Sequence, residues 1–407
     1  MIIEQFKKES LNDLLEALAE SLDITQTQYE NAVISYREVS EYLTNENSPI
    51  SKYSPIIRPQ GSFLLGTVIK AVNDEDDIDI DLVISLNSKN PKWTQFNLKN
   101  EIGNYLKKSD RYNKLLDKEG KRCWTLKYRE DSDSKMKYHM DVLPSIISSQ
   151  YFERLLASKN LEEFKNLSVN YTDITLNNYS IDDNINNWPI TNPFGFAKWF
   201  YSIATISNDE TLRYFKLSIE EVPSYLSKKL ILQMIVQILK RHRDIMFKGD
   251  EDKPISIIIT TLAGYAYKKE NNIYDALTNI VNAMENHINE YNPIKFIKED
   301  YIGNPLNPKE NFADKWKTIP KKKENFYLWI NRLKSDIEEL RNTEGLENYE
   351  KLLNRSFGEK ISKDTLERFG KQVTYNREKG LGKFSIGAGI TSLGNKKYSD
   401  HTYYGKK

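Results

Sequence analysis

The order of apolar and polar residues predicts helices towards both ends of the chain and strands between them. Apolar residues recur at helical spacing in residues 1–48, which predicts a helical spine behind a sheet. Residues 55–147 show strand patterns around a helix at 96–106, and residues 166–192 are rich in Asn, Asp and Thr, as in loops. From Pro193 onward the apolar spacing is helical again, with helices predicted at 226–239, 257–267, 324–342 and 346–369.

This pattern predicts an α+β protein with two lobes and a tail. Residues 1–192 would hold the spine helix and a mixed sheet, and residues 193–369 would form a helical lobe. From Gly370 several glycines and few large apolar residues predict a flexible tail over residues 370–407. The length of 407 residues suits such a two-lobed enzyme.

One predicted strand carries two carboxylates on the same face. Ile78, Ile80, Leu82 and Ile84 alternate with the residues between them, so Asp79 and Asp81 point the same way, roughly 6–7 Å apart. Two neighbouring carboxylates repel each other unless divalent cations balance them. A second strand-like run at 138–143 supplies a third carboxylate, Asp141. The three aspartates therefore predict a magnesium site.

A Gln60-Gly61-Ser62 segment precedes that strand. Glycine allows the backbone to approach a phosphate closely, and the Ser62 hydroxyl with neighbouring N–H groups suits phosphate oxygens. The sequence also allows two other interpretations. The acidic residues 74–77 are also typical of a solvated loop, and a calcium loop would require a glycine at its sixth position, which is absent here.

The helical lobe carries a second set of polar residues. Lys240, Arg243 and Asp244 have helical spacing and lie close together; by spacing alone they also suit a solvated charged face. Ser256 opens a predicted helix, either as its N-cap or as a phosphate ligand. His139 and His242 are expected to form local hydrogen bonds rather than to bind metal.

These motifs resemble the polymerase-β-like nucleotidyltransferases, and more narrowly the bacterial cGAS/DncV-like nucleotidyltransferases (CD-NTases) of CBASS anti-phage defence. The resemblance covers residues 60–316. It rests on the Gln60–Ser62 segment, the aspartates at 79, 81 and 141, and the stretches at 122–126, 139–144, 192–193, 199–200, 239–244, 253–256 and 307–316.

The resemblance implies an enzyme that joins ATP or other NTPs into a cyclic di- or trinucleotide messenger and releases pyrophosphate. Asp79 and Asp81 would hold two Mg²⁺ or Mn²⁺ ions, and Asp141 would share one of them and help to activate the attacking hydroxyl. Lys240 and Ser256 would contact the triphosphate. A messenger-activated effector is implied downstream.

Composition limits the other classes of protein. With 59 basic and 58 acidic residues the net charge is +1, which gives no strong indication of duplex nucleic-acid binding. The single Cys123 excludes internal disulfides, and no apolar run of eighteen residues predicts a membrane span. We therefore expect a soluble, cytoplasmic protein.

Two features remain near the C-terminus. The Lys321–Lys323 run is typical of a solvated loop, with attraction of an anionic activator as a further interpretation. In relatives that occur with ubiquitin-transferase-like partners, a C-terminal glycine is conjugated to targets. Gly405 resembles such a conjugation site, but the two lysines that follow it depart from that pattern.

Other functions stay open at this stage. They are linear oligonucleotide synthesis, RNA-end addition, AMP transfer to protein, and a catalytically silent interaction module.

Overall fold

The computed structural model describes residues 2–72, 78–128, 137–147, 168–219, 227–292 and 299–379, with residues 157 and 225 and three short strands nearer the C-terminus. Its α-helices are α1 (Ile2–Leu22), α2 (Gln26–Thr44), α3 (Gly61–Leu65), α4 (Gln95–Lys108), α5 (Asp110–Leu115), α6 (Pro193–Ala204), α7 (Asn208–Ser218), α8 (Ile231–Phe247), α9 (Ser256–Ala266), α10 (Ile273–Ala283), α11 (Pro320–Asn342), α12 (Leu346–Phe357) and α13 (Glu359–Glu378).

The strands are β1 (Ile56–Pro59), β2 (Ile78–Leu86), β3 (Trp124–Tyr128), β4 (Tyr138–Ile146), β5 (Val169–Tyr171), β6 (Ile190–Thr191), β7 (Gly303–Asn304), β8 (Asn307–Asn311), β9 (Lys383–Ser385), β10 (Gly389–Thr391) and β11 (Lys396–Lys397). The main sheet has the order β1-β2-β4-β5-β6, and β3 pairs with β4. Strands β2 and β4 are parallel, whereas the other pairs of this sheet are antiparallel. The predicted α+β class with a mixed sheet is confirmed.

Alternation along β2 explains how the sheet separates two cores. Ile80, Leu82 and Ile84 point into a core shared with α2 and α4. Val83 points to the opposite face, into a core built mainly from the helices of residues 193–369. Because Asp81 is two residues from Val83, its carboxylate faces the helical lobe.

The predicted spine divides between these two cores. Helix α2 packs on the sheet through Val33, Tyr36 and Val39. Helix α1 instead buries its leucine stripe among the helices of the C-terminal half, in contact with α8, α10 and α13. The expectation that residues 1–48 lie behind the sheet is therefore wrong for α1.

Three local boundaries also differ from the sequence prediction. The Lys321–Lys323 run lies inside α11, because Pro320 at its first turn starts the helix earlier. Ser256 is the first residue of α9, and Ile255 takes the N-cap position, so the N-cap prediction for Ser256 is wrong. Helix α13 continues through Gly370 to Glu378, so the predicted start of the tail lies within a helix.

The lysine run of α11 is matched by acidic residues. Lys321 pairs with Asp250 at 3.1 Å, and Lys322 pairs with Asp252 at 3.1 Å. Lys323 pairs with Asp300 at 2.7 Å. These pairs account for the run as a set of intramolecular contacts and leave little reason to assign it to an anionic activator.

Among the described helices, none combines the length and apolarity that a bilayer span needs.

Candidate active site

The register of the central strands places the predicted carboxylates side by side. In the parallel β2–β4 pair, Asp81 lies directly opposite Asp141, and Asp79 lies opposite His139. Neighbouring strands are about 4.8 Å apart. The carboxylates of Asp81 and Asp141 therefore share one face of the sheet, with that of Asp79 two residues away along the same strand.

The Gly-Ser turn is held against the same strand. Strand β1 runs antiparallel to β2 until Pro59 meets Leu82, and the Gln60 N–H then donates to the Asp81 carbonyl at 2.8 Å. Gly61 follows with a φ of +58°, which favours glycine. A Cβ on Gly61 would collide with the Asp81 carboxylate. Both the backbone conformation and the close approach thus require glycine here.

Asp81 is a partly buried carboxylate with a raised pKa. Burial, and then the charges of Asp141 and Asp79, raise the pKa of Asp81 to about 7, while Lys240 opposes this rise. The carboxylates consequently repel each other across a half-buried space. A divalent cation would relieve that repulsion, and carboxylate oxygens are ligands that Mg²⁺ accepts. The donor set fits the metal that the sequence predicted.

The other two carboxylates have partners of their own. Thr125 on β3 donates its hydroxyl to Asp141 Oδ1 at 2.5 Å, which orients that side chain. Asp79 is 79 % exposed, and its Oδ1 lies 3.9 Å from Nδ1 of His139. Within the ranges that the structure describes, no three Asp, Glu, His or Cys side chains are already gathered around one point. Metal binding would therefore require rotation of at least one side chain.

A cavity of about 1220 Å³ brings most of the predicted residues together. It lies between the sheet and the helical lobe, and its lining includes Gly61, Ser62, Asp79, Asp81, Lys240 and Ser256. Gln60 and Asp141 are not among the described residues that line it. The Gln60 N–H is used on the Asp81 backbone, and Asp141 is one strand further across the sheet.

Lys240 is buried rather than part of a solvated charged face. Only 7 % of it is exposed, and its Nζ donates to the Thr67 carbonyl at 2.9 Å. Burial and Arg243 lower the pKa of Lys240 to about 8, although Asp244, Asp79 and Asp81 oppose the change. The ammonium group therefore lies within electrostatic reach of the carboxylates and keeps two further N–H donors.

Arg243 connects Lys240's helix to Ser256. Its Nη1 donates to Ser256 Oγ at 3.0 Å and to the Pro254 carbonyl at 2.8 Å, while its Nε donates to Asp244 at 2.9 Å. Burial acts to raise the pKa of Asp244, but Arg243 and Lys253 outweigh it and hold that pKa below its ordinary value. This ion-pair network fixes the start of α9 at the cavity.

His242 forms a local contact, as predicted. Its Nε2 lies 3.1 Å from Asp336, which also accepts a hydrogen bond from Ser356 and pairs with Arg332 and Arg355. Burial would raise the pKa of Asp336, yet hydrogen bonds from His242 and Ser356 help to lower it to about 2. The group ties α8 to α11 and α12 away from the carboxylates.

Sequence reasoning missed the residues that support these groups. Thr125 and Thr67 act through a hydroxyl and a backbone carbonyl, neither of which has a distinctive spacing. Gln233, Gln237 and Arg241 lie on the buried side of α8, where polar residues interrupt the apolar stripe. That interruption was the one available signal.

The sheet, the Gly-Ser turn and the aligned carboxylates define a nucleotidyltransferase with the polymerase-β-like arrangement. Residues 55–144 match the family model described as cyclic GMP-AMP synthase DncV-like, nucleotidyltransferase domain. Over these residues the chain is similar to the DncV-like nucleotidyltransferase domain, and solved CD-NTases share the fold of the chain, as the sequence predicted.

The similarity to named proteins extends over all or most of the chain. A protein of Roseivirga ehrenbergii named c-di-GMP synthase is 28 % identical over 412 residues, which span 100 % of both chains. The CD-NTase CdnG of Bradyrhizobium diazoefficiens, solved in complex with GTP, covers 88 % of this chain and 99 % of its own, with 18 % identity and a TM-score of 0.65. CdnC of E. coli MS115-1, solved in complex with HORMA-deltaN, is also similar. This match covers 85 % of the present chain and 96 % of CdnC, with 13 % identity and a TM-score of 0.54.

Proposed function

We propose that this protein condenses two GTP molecules into cyclic di-GMP and releases pyrophosphate at each step. The observation that carries the proposal is the Gly61–Ser62 turn held against Asp81, with Asp141 in register beside it and a cavity opening onto the turn. The choice of guanine is supported by the full-length similarity to a protein named c-di-GMP synthase. We also propose that the product is a messenger for an effector in CBASS defence, which similarity to CD-NTase structures supports.

Asp79, Asp81 and Asp141 would hold two Mg²⁺ or Mn²⁺ ions. When bound, such ions lower the pKa of an attacking hydroxyl and stabilise the charge that develops on the leaving phosphate. The chain itself contributes the orientation of Asp141 through Thr125 and the low-dielectric surroundings of Asp81. The first effect positions a ligand oxygen, and the second strengthens the attraction between an ionised Asp81 and a bound cation.

Ser62, Lys240 and Ser256 would hold the triphosphate, with Gln60 and Gly61 shaping the turn beside it. All but Gln60 line the same cavity. Its volume of about 1220 Å³ is above the usual range of about 300–1000 Å³ for pockets that take one small ligand. This supports binding of a donor and an acceptor nucleotide in one compartment, which repeated transfer and ring closure require.

The remaining assignments have less support. We keep the division into a catalytic part up to residue 192, a helical lobe and a tail as a proposal, together with a cytoplasmic location. Gly405, the proposed conjugation site for a ubiquitin-transferase-like partner, lies outside the described residues. Mass spectrometry of the protein expressed with such a partner tests it, and intact Lys407 ends without any adduct would exclude it.

The test of the reaction uses radiolabelled GTP or ATP, Mg²⁺, and phosphatase treatment before separation of the products. Phosphatase-resistant label that co-migrates with cyclic di-GMP is expected from GTP alone. Phosphatase-sensitive ladders would instead indicate linear synthesis. Label that remains on added RNA or on protein would indicate end addition or AMP transfer.

Variants connect the product to the site. Asp79→Ala and Asp141→Ala are expected to lose product by at least about 100-fold, whereas Asp183→Ala, an exposed loop carboxylate, should retain it. Product that persists in both active-site variants would reject the metal-site assignment. If the wild-type protein shows no Mg²⁺-dependent shift in Tm with GTP and no product, the silent-module alternative is favoured.

A further inference from the structure

A short segment links the two halves of the candidate site. It starts at Leu65, the last residue of α3, which carries Ser62, and residues 66–71 continue without regular structure towards β2, which carries Asp79 and Asp81. Backbone carbonyls outside helices and sheets need other partners when they are buried. We call residues 65–71 the connecting segment. Its carbonyls find their partners on one helix of the opposite lobe.

Two glutamines of α8 bind the first part of the connecting segment. Gln233 Nε2 donates to the Leu65 carbonyl at 2.8 Å. Gln237 Nε2, one helical turn further, donates to the Val68 carbonyl at 2.7 Å. Both glutamines are fully buried. Gly66 permits this contact, because it has a φ of +65° and a Cβ there would lie only 2.5 Å from Gln233 Nε2.

Two cationic residues of α8 bind the rest of the connecting segment. Lys240 Nζ donates to the Thr67 carbonyl at 2.9 Å. Arg241 Nη2 donates to the carbonyls of Lys70 at 2.6 Å and Ala71 at 3.2 Å. Arg241 is 1 % exposed, so its guanidinium is committed to the protein interior.

The spacing shows that these contacts come from one face of α8. Positions 233, 237, 240 and 241 follow the i, i+4, i+7, i+8 pattern of a single helical face. Other bonds hold the same segment to its surroundings: Lys70 N–H donates to the Leu22 carbonyl at 2.8 Å, and Thr67 N–H donates to the Ser62 carbonyl at 2.9 Å. A displacement of the connecting segment would therefore be transmitted to Ser62 directly.

We infer that Gln237 and Arg241 are positioning residues, which hold the connecting segment so that the Gly61–Ser62 turn and the Asp79–Asp81 strand keep their place relative to Lys240. The inference rests on the proposed nucleotidyl transfer at this site. The two residues act by donating to backbone carbonyls of the connecting segment. Lys240 lies on the same helix, so α8 also fixes its position relative to that segment. Because small misplacements of reacting groups are costly, the effect should fall mainly on kcat.

The kinetic test compares Gln237→Met and Arg241→Met with Arg241→Lys, which keeps a donor for the Lys70 carbonyl. We expect kcat to fall about 10- to 100-fold in both Met variants, with KM for the nucleotide changed less than about threefold. Arg241→Lys should recover a substantial part of kcat. Leu277→Ala is the matched control, since it opens a cavity in the buried core at α10, a helix that makes none of the hydrogen bonds to the connecting segment described above.

Hydrogen–deuterium exchange supplies a readout that needs no activity. The amides of Thr67 and Lys70 should exchange at least about tenfold faster in the two Met variants than in the wild type, and not in Leu277→Ala. Unchanged exchange would overturn the proposed role of α8. Faster exchange with unchanged kcat, in a protein that makes product, would overturn the positioning role alone. A kcat loss equal to that of Leu277→Ala would reduce the effect to general destabilisation.

Should the wild type make a product other than cyclic di-GMP, the kinetic arm is repeated with that product. A wild type with no nucleotidyl transfer at all would overturn the proposed function and with it the positioning role. The exchange arm would still decide whether α8 holds the connecting segment.

Discussion

Asp81→Asn is expected to stabilise the metal-free protein at pH 8 while it abolishes nucleotidyl transfer. Burial, with Asp141 and Asp79 nearby, raises the pKa of Asp81 from its ordinary value of 3.8 to about 7. Each tenfold change in proton affinity corresponds to about 1.4 kcal/mol. Ionising Asp81 in the folded protein therefore costs up to about 4 kcal/mol, and water in the cavity reduces this to about 2–4 kcal/mol.

The sign of the pH dependence follows from the raised pKa. A carboxyl that binds its proton more tightly in the folded state stabilises the fold fully below pH 3.8, and this contribution is lost as the pH rises through about 7. Asparagine has no charge to lose. The advantage of Asp81→Asn should thus be largest at pH 8 and fall below about 2 kcal/mol at pH 5.

Thermal unfolding in EDTA at pH 8 and pH 5 measures this difference. At pH 8 the Tm of Asp81→Asn should exceed that of the wild type by a few degrees. Asp79→Asn is the matched control on the same face of β2, and its 79 % exposed side chain should change stability by less than about 0.5 kcal/mol. The reasoning would be refuted if Asp81→Asn were no more stable than the wild type at pH 8. It would also be refuted if the gain in stability were the same at pH 8 and pH 5.

Three further predictions concern the same site, each read as the initial rate of pyrophosphate release. Gly61→Ala should lose at least about 100-fold in activity, because the new Cβ would collide with Asp81 and because residue 61 has a positive φ. Gly370→Ala is the control, since a Cβ there has no atom within 4 Å. It should keep activity and gain up to about 1 kcal/mol in stability. Equal rates in the two variants would contradict this. Thr125→Val should lower kcat about 5- to 20-fold by removing the hydrogen bond to Asp141, and Thr125→Ser should restore it; a normal rate for Thr125→Val would exclude the orienting role. Chelation with EDTA should stop the reaction and excess Mg²⁺ or Mn²⁺ should restart it, so turnover in EDTA would rule out the metal site.

The catalytic strand could be predicted from the sequence because its constraints are local. Strict alternation along residues 78–85 specified both the strand and the shared face of Asp79 and Asp81. The third carboxylate was recognisable from its strand-like surroundings. Its register with Asp81 depends on pairing between strands separated by more than fifty residues, which periodicity does not encode.

The surroundings of the charged residues could not be predicted in the same way. Helical spacing grouped Lys240 with Arg243 but left open whether water or protein surrounds them, and both are buried. Likewise, the leucines of α1 showed which side of the helix is buried, and not what covers it. The change in composition after Gly370 predicts a tail from that residue, but one glycine costs a helix only about 1 kcal/mol, and the helix continues to Glu378.

The packing of α1 has a consequence for the order in which the chain becomes functional. Its leucines Leu11, Leu15 and Leu18 belong to a core to which α8, α10 and α13 contribute, and these helices lie more than 200 residues later in the chain. At roughly 5–20 residues per second, a ribosome needs about 20–70 s to go from the end of α1 to the start of α13. During that interval the leucine stripe lacks its native cover and is available to chaperones. The helices that bury α1 and supply Lys240 can therefore assemble only after α13 has been synthesised, so a translation product that stops before α8 carries the aspartates without Lys240.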